Sequence, residues 1–407
     1  AACWRSGLIA RHASCIELSE AALCSNLRFL RKTLGPHVEL MSVVKANAYG
    51  HGLNEYAPLA ERCGVRHFGV FAATEAETLL GCKRPDTDVT ILGLIDNEDL
   101  PWAVEHGVAF YVFNRHRLSG AVRAARKVGR PARIHLELET GLNRTGFNAR
   151  ALPALVDTLG QNADHLEVVG TCTHYAGAES VGNYYRIIQQ IETFHRLVGR
   201  LQEQGVPVGK RHTACSAASL NYPETVLDMV RVGIAQYGYW PSRESRMFFL
   251  KQNGRGRRAS PLRRVLKWRS RVMDVKSVPS GEFVGYGNHY QTTRRTRLAA
   301  VPVGYYHGFA RDLSNLGHVL IRGQRCPVVG VVNMNMMTVD ITDNRLARIG
   351  DEVVLIGNQG DQEITVGAFG EMSQDLNYEV LVRLPAEIPR IVVPGVKKVA
   401  PRAAARR

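Results

Sequence analysis

The sequence predicts an α/β protein: an N-terminal (β/α)8 TIM-like barrel followed by a mostly β C-terminal domain. Three observations carry this. Eight short β-rich runs lie in the first two thirds, at 39–45, 67–73, 89–94, 108–113, 132–138, 165–172, 211–215 and 229–235. Helix-like stretches such as "RALPALVDTLGQNA" and "NYYRIIQQIETFHRLVGRLQEQG" separate most of them, the alternation that builds a parallel barrel. From about Ser242 the pattern changes to turn-broken strands.

Each part has its own reason. The second helix-like stretch sets Tyr185, Ile188, Ile191 and Phe194 near helical spacing and stops on Gly205. "SRESRMFFLKQNGRGRRASPL" reads as an irregular basic connector. After it, "LKWRSRVMDVKSV", "RLAAVPVGYY", "GHVLIRGQRCPVVGVV", "MMTVDIT" and "DEVVLIG" read as strands. The expected division is an N-terminal strand at 1–16 packing on the C-terminal domain, a barrel at 17–260, a β domain at 261–396 and a basic tail at 397–407.

The 407 residues suit one large barrel plus a smaller domain, and 45% apolar content suits a sizeable core. No apolar run is long enough to span a membrane, and the first residues lack the apolar stretch of a signal peptide. The formal charge of +15 raises a nucleic-acid reading. Its excess sits at Arg255, Arg257, Arg258, Arg263, Arg264, Lys267, Arg269 and Arg271 and in "KKVAPRAAARR", without the interleaved aromatics of a single-strand platform. A solvated linker and tail, with no specific nucleic acid and no membrane partner, is the expectation. The eight cysteines form no CxxC pair and no metal-ligand spacing. No metal and reduced thiols in a cytoplasmic protein are expected, with export left open.

A barrel gathers its chemistry at the carboxyl ends of its strands. "VVKANAYGHG" ends the first run on Lys45, which is either a surface lysine closing a strand or one held in a cleft for chemistry. The other strand ends favour the cleft. Glu137 lies near the end of the fifth run with Arg144 just beyond; His174 and Tyr175 follow the sixth, Ser216 the seventh, and Arg231 and Gly233 sit in the eighth. This basic, hydrogen-bonding rim suits an anionic ligand that needs an amine, such as a phosphorylated aldehyde.

"VVKANAYGHG", "ELETGLNRTGF", "CTHYAGAES", "RVGIAQYG", "VGYG", "VPVGYYHGFAR" and "NYEVLVRLPAEIPR" fall in the order seen in alanine racemases. The chain resembles that family from about His12 to about Pro394. The resemblance implies pyridoxal 5′-phosphate (PLP) as cofactor, an amino acid as substrate and a homodimer with shared active sites. It implies Lys45 as the lysine that forms the Schiff base with PLP, and a desolvated, cation-flanked lysine is indeed a better nucleophile. Tyr49, Ser216, Gly233, Ile234 and Tyr378 match the phosphate contacts, and Arg231 matches the residue that meets the pyridine nitrogen. Arginine stays protonated there and accepts no proton, which restrains side reactions. His174 matches the histidine packed around the cofactor.

Racemisation needs an acid/base on each face of the α-carbon. The resemblance implies Lys45 on one face and Tyr286, from the partner subunit, on the other; nearby cations such as His174 and Arg144 would have to lower that tyrosine's pKa. Arg144 matches the arginine that binds the substrate carboxylate. Where many members carry a carbamylated lysine beside that arginine, this chain has Glu137, which could hold the guanidinium directly. Tyr305 matches an entrance tyrosine. Asn333, Met334 and Asn335 stand where the usual motif has Cys, Met and Asp, which alters charge and hydrogen bonding at the mouth.

The expected function is therefore PLP-dependent interconversion of L- and D-alanine, with a broad-specificity racemase for serine, lysine or arginine as the alternative. A decarboxylase of the same fold is disfavoured because no Cys–Asp motif appears in the second domain, where Pro327 follows Cys326. Metal-dependent aldolases and dehydratases of this fold carry a C-terminal His/Cys metal pair, whereas this chain has there only His307, His318 and Cys326, without suggestive spacing, and a non-enzymatic PLP-binding protein would usually be a single barrel.

Overall fold

The computed structural model describes residues 12–252, 260–373 and 377–394. The tail at 397–407, most of the 1–16 segment and Arg255, Arg257 and Arg258 of the connector lie outside the described residues.

Among the described residues β1 (Cys15–Ser19) comes first, followed by α1 (Glu20–Leu34), whose first turn is capped by Ser19 accepting from the Ala22 N–H. Eight strands then form one parallel sheet: β2 (Glu39–Val43), β3 (His67–Ala72), β4 (Asp88–Leu94), β5 (Ala109–Val112), β6 (Ala132–Glu137), β7 (Leu166–Cys172), β8 (Lys210–His212) and β9 (Met229–Val232). Their order is β8-β7-β6-β5-β4-β3-β2-β9. The sheet closes between its ends by single contacts: a bridge of Cys215 with Arg231, and the Arg231 N–H donating to the Ala214 carbonyl at 3.0 Å. The expected barrel and its following β domain are both present.

The helical layer comprises α2 (Lys45–Tyr49), α3 (Leu53–Arg62), α4 (Ala73–Leu80), α5 (Leu100–Glu105), α6 (Arg115–Val128), α7 (Leu152–Gln161), α8 (Tyr184–Glu203), α9 (Ser216–Asn221) and α10 (Arg243–Gln252). On α8 the buried stripe is Ile187, Ile191, Phe194 and Val198, one position off the register expected through Tyr185 and Ile188, and Tyr185 is 83% exposed. An i, i+4, i+7 pattern fixes the helix, but not which of two adjacent apolar stripes meets the barrel. The connector expected to be irregular contains α10, on which Phe249 packs edge-on against Phe29.

The C-terminal part contributes β10 (Leu266–Arg271), β11 (Asp274–Val278), β12 (Thr296–Val301), β13 (His318–Ile321), β14 (Gln324–Pro327), β15 (Met337–Asp340), β16 (Glu352–Gln359), β17 (Gln362–Ile364), α11 (Val366–Ser373), α12 (Asn377–Val382) and β18 (Arg390–Val393). They form a seven-stranded sheet, ordered β14-β13-β16-β10-β1-β18 with β17 on β16, and a three-stranded sheet, β11-β12-β15. β1 lies in the larger sheet, antiparallel to β10 and parallel to β18, so a strand that precedes the barrel in sequence ties the two halves together.

The thiols depart from expectation. Cys24 on α1 and Cys63 at the end of α3 are disulfide-bonded, Cα atoms 4.9 Å apart, and Cys15 is disulfide-bonded as well. Residues 39 apart in sequence meet because α1 and α3 pack side by side, a neighbour relation that no Cys spacing displays. Among the described residues no helix is long and apolar enough to cross a membrane.

Candidate active site

β2 ends at Val43, and Lys45 starts a turn of unusual hand instead of closing the strand. Ala46, Asn47, Ala48 and Tyr49 all have φ between 52° and 55°, so α2 is a left-handed helical turn, followed by Gly50 and Gly52 at positive φ. Left-handed geometry costs an L-residue about 1–2 kcal/mol, so surrounding bonds must hold it. The Glu75 carboxylate accepts from the N–H of Ala46 at 2.6 Å and of Phe71 at 2.8 Å, and Asn47 Oδ1 accepts from Leu53 N–H at 2.8 Å. Arg390 Nη2 donates to the Gly50 carbonyl at 2.9 Å, and a β-carbon on Gly50 would lie 1.9 Å from the Leu381 carbonyl oxygen. The strained turn is thus clamped by α4 beneath it and by α12 and β18 above. Backbone strain of this kind concentrates at functional sites.

The clamp delivers Lys45 and Tyr49 to the mouth of the barrel. A cavity of about 780 Å³ opens there, lined by Lys45, Tyr49, Glu137, Arg144, His174, Ser216, Arg231, Gly233, Ile234 and Tyr378. These strand-end residues are brought together. Apolar walls come from Phe71, Leu92, Leu94 and Phe113. These apolar side chains are not among the residues expected from the sequence, although their positions at strand ends carry the signal for them.

Arg231 is buried, and its bonds leave little choice of orientation. Nη1 donates to His212 Nδ1 at 2.9 Å and to the His212 carbonyl; Nη2 donates to the carbonyls of Thr173 at 2.7 Å and Thr213 at 3.1 Å. Nε–H has no acceptor among the described residues. Ser216 Oγ accepts from the Gly233 N–H at 3.0 Å and fixes the loop where Ile234 begins a short 3-10 turn. The first N–H groups of such a turn have no carbonyl within it to bind. A β-carbon on Gly233 would stand 2.6 Å from the Tyr49 hydroxyl, whose ring lies 4.9 Å from Tyr237 and 6.1 Å from Tyr378. Hydroxyls, the Ile234 N–H, which has no acceptor among the described residues, and a side-chain-free approach make a cradle that fits a phosphate.

Electrostatics follow from crowding. Burial, then Arg144 and Arg231, lower the Lys45 pKa, with Glu75 opposing. The surface that Lys45 exposes faces the cavity, so it stays reachable as an amine. Burial and the same two guanidiniums push His174 down to about 3, so its ring is neutral near pH 7. Burial raises Tyr49 and Tyr378 well above the ordinary tyrosine value, which keeps both hydroxyls protonated. The direct ion pair expected of Glu137 and Arg144 is not formed. The Glu137 carboxylate instead accepts from Thr145 Oγ1 at 2.8 Å, and burial raises its pKa. The one-residue offset of Thr145 from Arg144 gives the carboxylate a nearer, neutral donor.

Tyr286, Tyr305, Asn333, Met334 and Asn335 are not among the lining residues of this chain's cavity. Tyr286 is 75% exposed and Met334 54%. Tyr305 N–H donates to the Asn333 carbonyl at 3.0 Å, so the entrance tyrosine and the "NMN" loop form one unit on the C-terminal part.

A barrel whose rim gathers a lowered-pKa lysine, a buried arginine and a hydroxyl-lined cradle, joined to a β domain, defines the class as a two-domain barrel enzyme. The chain belongs to the alanine racemase family and is an isomerase of the amino-acid racemase type. The alanine racemase N-terminal domain matches residues 18–241 and the alanine racemase C-terminal domain residues 265–392. The alanine racemase of Symbiobacterium thermophilum is 36% identical over 92% of this chain and 95% of its own length. The structure of alanine racemase from Streptomyces lavendulae superposes with a TM-score of 0.84 at 32% identity, over 94% of this chain and 97% of that one. That of Bartonella henselae, described with covalently bound pyridoxal phosphate, gives 0.79 at 25% identity, over 93% and 99%.

Proposed function

We propose that the protein is a PLP-dependent racemase that interconverts L- and D-alanine by two bases, Lys45 on one face of the α-carbon and Tyr286 of the partner subunit on the other. The observation that carries this reading is the convergence of an amine of lowered pKa, two guanidiniums and the hydroxyls of Tyr49, Ser216 and Tyr378 on one cavity. PLP fits these groups. Tyr49, Ser216, Gly233, Ile234 and Tyr378 would hold its phosphate, Arg231 Nε–H its pyridine nitrogen, His174 its flank and Lys45 its aldehyde. When bound, the cofactor supplies the electron sink that acidifies the α-proton.

The chain's own residues do the rest. Arg144 orients the substrate carboxylate, and Glu137 steadies the Arg144 loop through Thr145. Lys45 takes the proton from one face, and the Tyr286 hydroxyl of the partner subunit returns one to the other; the reverse reaction exchanges the roles. The exposed patch of Phe283, Tyr286, Tyr305, Tyr306 and Met334 supports a homodimer in which this surface covers the neighbour's cavity. A barrel at 17–260 and a β domain at 261–396 are part of the same reading. The disulfide favours an oxidising compartment over the cytoplasm expected from the sequence.

Incubating the purified protein with PLP and L-alanine, and following D-alanine by chiral chromatography, tests the reading. Loss of CO2 from the substrate, or PLP binding without turnover of any amino acid, would sink it. A second reading, broad specificity, is favoured by the neutral Asn333 and Asn335, and appears in the same assay as racemised serine, lysine or arginine.

A further inference from the structure

The barrel interior holds polar groups that the proposed chemistry does not use. From Arg231 a continuous chain of hydrogen bonds descends to the base of the barrel. Arg231 Nη1 meets His212 Nδ1 at 2.9 Å; His212 Nε2 meets His135 Nδ1 at 2.8 Å; His135 Nε2 meets Thr90 Oγ1 at 3.4 Å. Thr90 Oγ1 meets His67 Nε2 at 2.8 Å, and His67 Nδ1 meets Glu39 Oε1 at 2.6 Å. The other oxygen of Glu39 pairs with Lys210. Glu39, His67 and Lys210 are the first residues of β2, β3 and β8, so the chain ends at the face opposite the cavity. The Thr90–His135 and His135–His212 links pass over β5 and β7, which only inward-facing side chains can do.

The two ends force one direction. A guanidinium only donates, so His212 must accept on Nδ1 and carry its proton on Nε2. His135 must then accept on Nδ1 and donate from Nε2 to Thr90. Thr90, having accepted, donates to His67 Nε2, which leaves the His67 proton on Nδ1. That proton faces a carboxylate, which only accepts. No link is left mismatched. Burial holds His135 and His212 well below the ordinary histidine value, so both are neutral. The hydrogen bond from His67, with Lys210 adding to it against burial, holds Glu39 down to about 2. Gly170 makes room for the chain, since a β-carbon there would lie 2.4 Å from His135 Nδ1.

We propose that this one-way chain, Arg231–His212–His135–Thr90–His67–Glu39, is a positioning device. It holds Nη1 of the guanidinium on His212 while Nη2 reaches His174 at the cavity and Nε–H keeps no acceptor among the described residues, and Glu39 at the barrel base sets the tautomer of every histidine between them. Hydrogen bonds in such chains polarise one another, so the far end is felt at the near end. The assignment of Nε–H to the pyridine nitrogen rests on the PLP reading; the order of tautomers does not.

The test is 15N NMR of histidine-labelled protein, with and without PLP, beside a PLP titration. Expected in the unaltered protein from the hydrogen-bond directions are Nε2–H on His212 and His135 and Nδ1–H on His67, the minority tautomer of the free histidine side chain. Glu39→Leu should move the His67 proton to Nε2, shift the His212 ring resonances and raise the PLP dissociation constant on the order of threefold to tenfold. Glu39→Gln keeps an acceptor oxygen and should restore the His67 tautomer. If Glu39→Leu does not fold, Thr90→Val cuts the chain at its middle and His212 is read in the same way. An Nε2–H tautomer on His67 in the unaltered protein, unmoved His212 resonances in the variant, or altered tautomers with unaltered PLP affinity each overturn the proposal. Failure of the PLP reading looks different: the unaltered protein shows the stated tautomers and binds no PLP.

Discussion

A β-carbon on residue 233 would stand 2.6 Å from the hydroxyl of Tyr49, so Gly233 and Tyr49 occupy the same corner of the cavity only because one of them has no side chain. The Tyr49 ring cannot swing away freely, being stacked near Tyr237 and Tyr378 and rooted in a turn at φ 52°. Gly233→Ala should therefore displace the hydroxyl from the phosphate cradle. Strain of about 1–3 kcal/mol corresponds to roughly a tenfold or larger rise in the PLP dissociation constant. A PLP titration followed by visible absorbance measures it, and circular dichroism beside it separates this effect from any loss of fold, since Gly233 has ψ −105°, outside the ordinary range of L-residues.

Tyr286 is exposed and outside the cavity of its own chain, whereas Lys45 is inside. Tyr286→Phe should abolish racemisation while PLP absorbance survives, and Lys45→Ala should abolish both. The two variants then make a discriminating mixture. If the tyrosine serves the neighbouring chain, mixed dimers carry one intact site, and an equal mixture recovers up to about a quarter of the unaltered activity. A tyrosine acting within its own chain gives no recovery in that mixture.

The barrel was legible because each strand carries its own apolar run and each helix its own period. The convergence of Lys45, His174, Ser216 and Arg231 on one cavity was legible because a barrel brings its strand ends to one rim, so their meeting could be read from position. Two things were hidden. The left-handed hand of Ala46–Tyr49 has no signal in residues of low αL preference; only Asn47 and the glycines after it hint at it, and bonds from Glu75 and Arg390 decide it. The interior chain was hidden for a related reason. His67, Thr90, His135 and His212 lie far apart in sequence, and each alone reads as an ordinary strand residue until the barrel closes around them.

The disulfide yields a prediction that needs no cofactor. Without reductant, Cys24 and Cys63 should resist alkylation, and Cys24→Ser should lower stability by about 3–4 kcal/mol, the loop-closure effect for a link of this span. Urea unfolding without reductant measures the loss, and dithiothreitol, which also cleaves the Cys15 disulfide, should destabilise the unaltered protein at least as much. Ready alkylation of both thiols in protein purified under air removes the link and, with it, the argument for an oxidising compartment.

On the proposed reading Lys45 meets an aldehyde as a free amine, so its titration would set the pH at which PLP is captured. Burial comes first among the causes that lower its pKa, then Arg144, with Arg231 weaker and Glu75 acting the other way. The sign at each neighbour is fixed. Removing a cation makes the ammonium less unfavourable, so Arg144→Met should raise the pKa toward the ordinary lysine value. Removing the anion does the opposite, so Glu75→Gln should lower it further. The rate at which cofactor-free protein takes up PLP should rise with pH to an inflection below the ordinary lysine value, shifted up in Arg144→Met and down in Glu75→Gln. Stopped-flow absorbance across the pH range reads all three. Glu75→Gln also weakens the bonds that clamp the left-handed turn, so its final PLP affinity should fall even as its amine titrates earlier. Coincident inflections in the three proteins would mean that burial alone tunes Lys45 and that the charged rim serves only to bind anions.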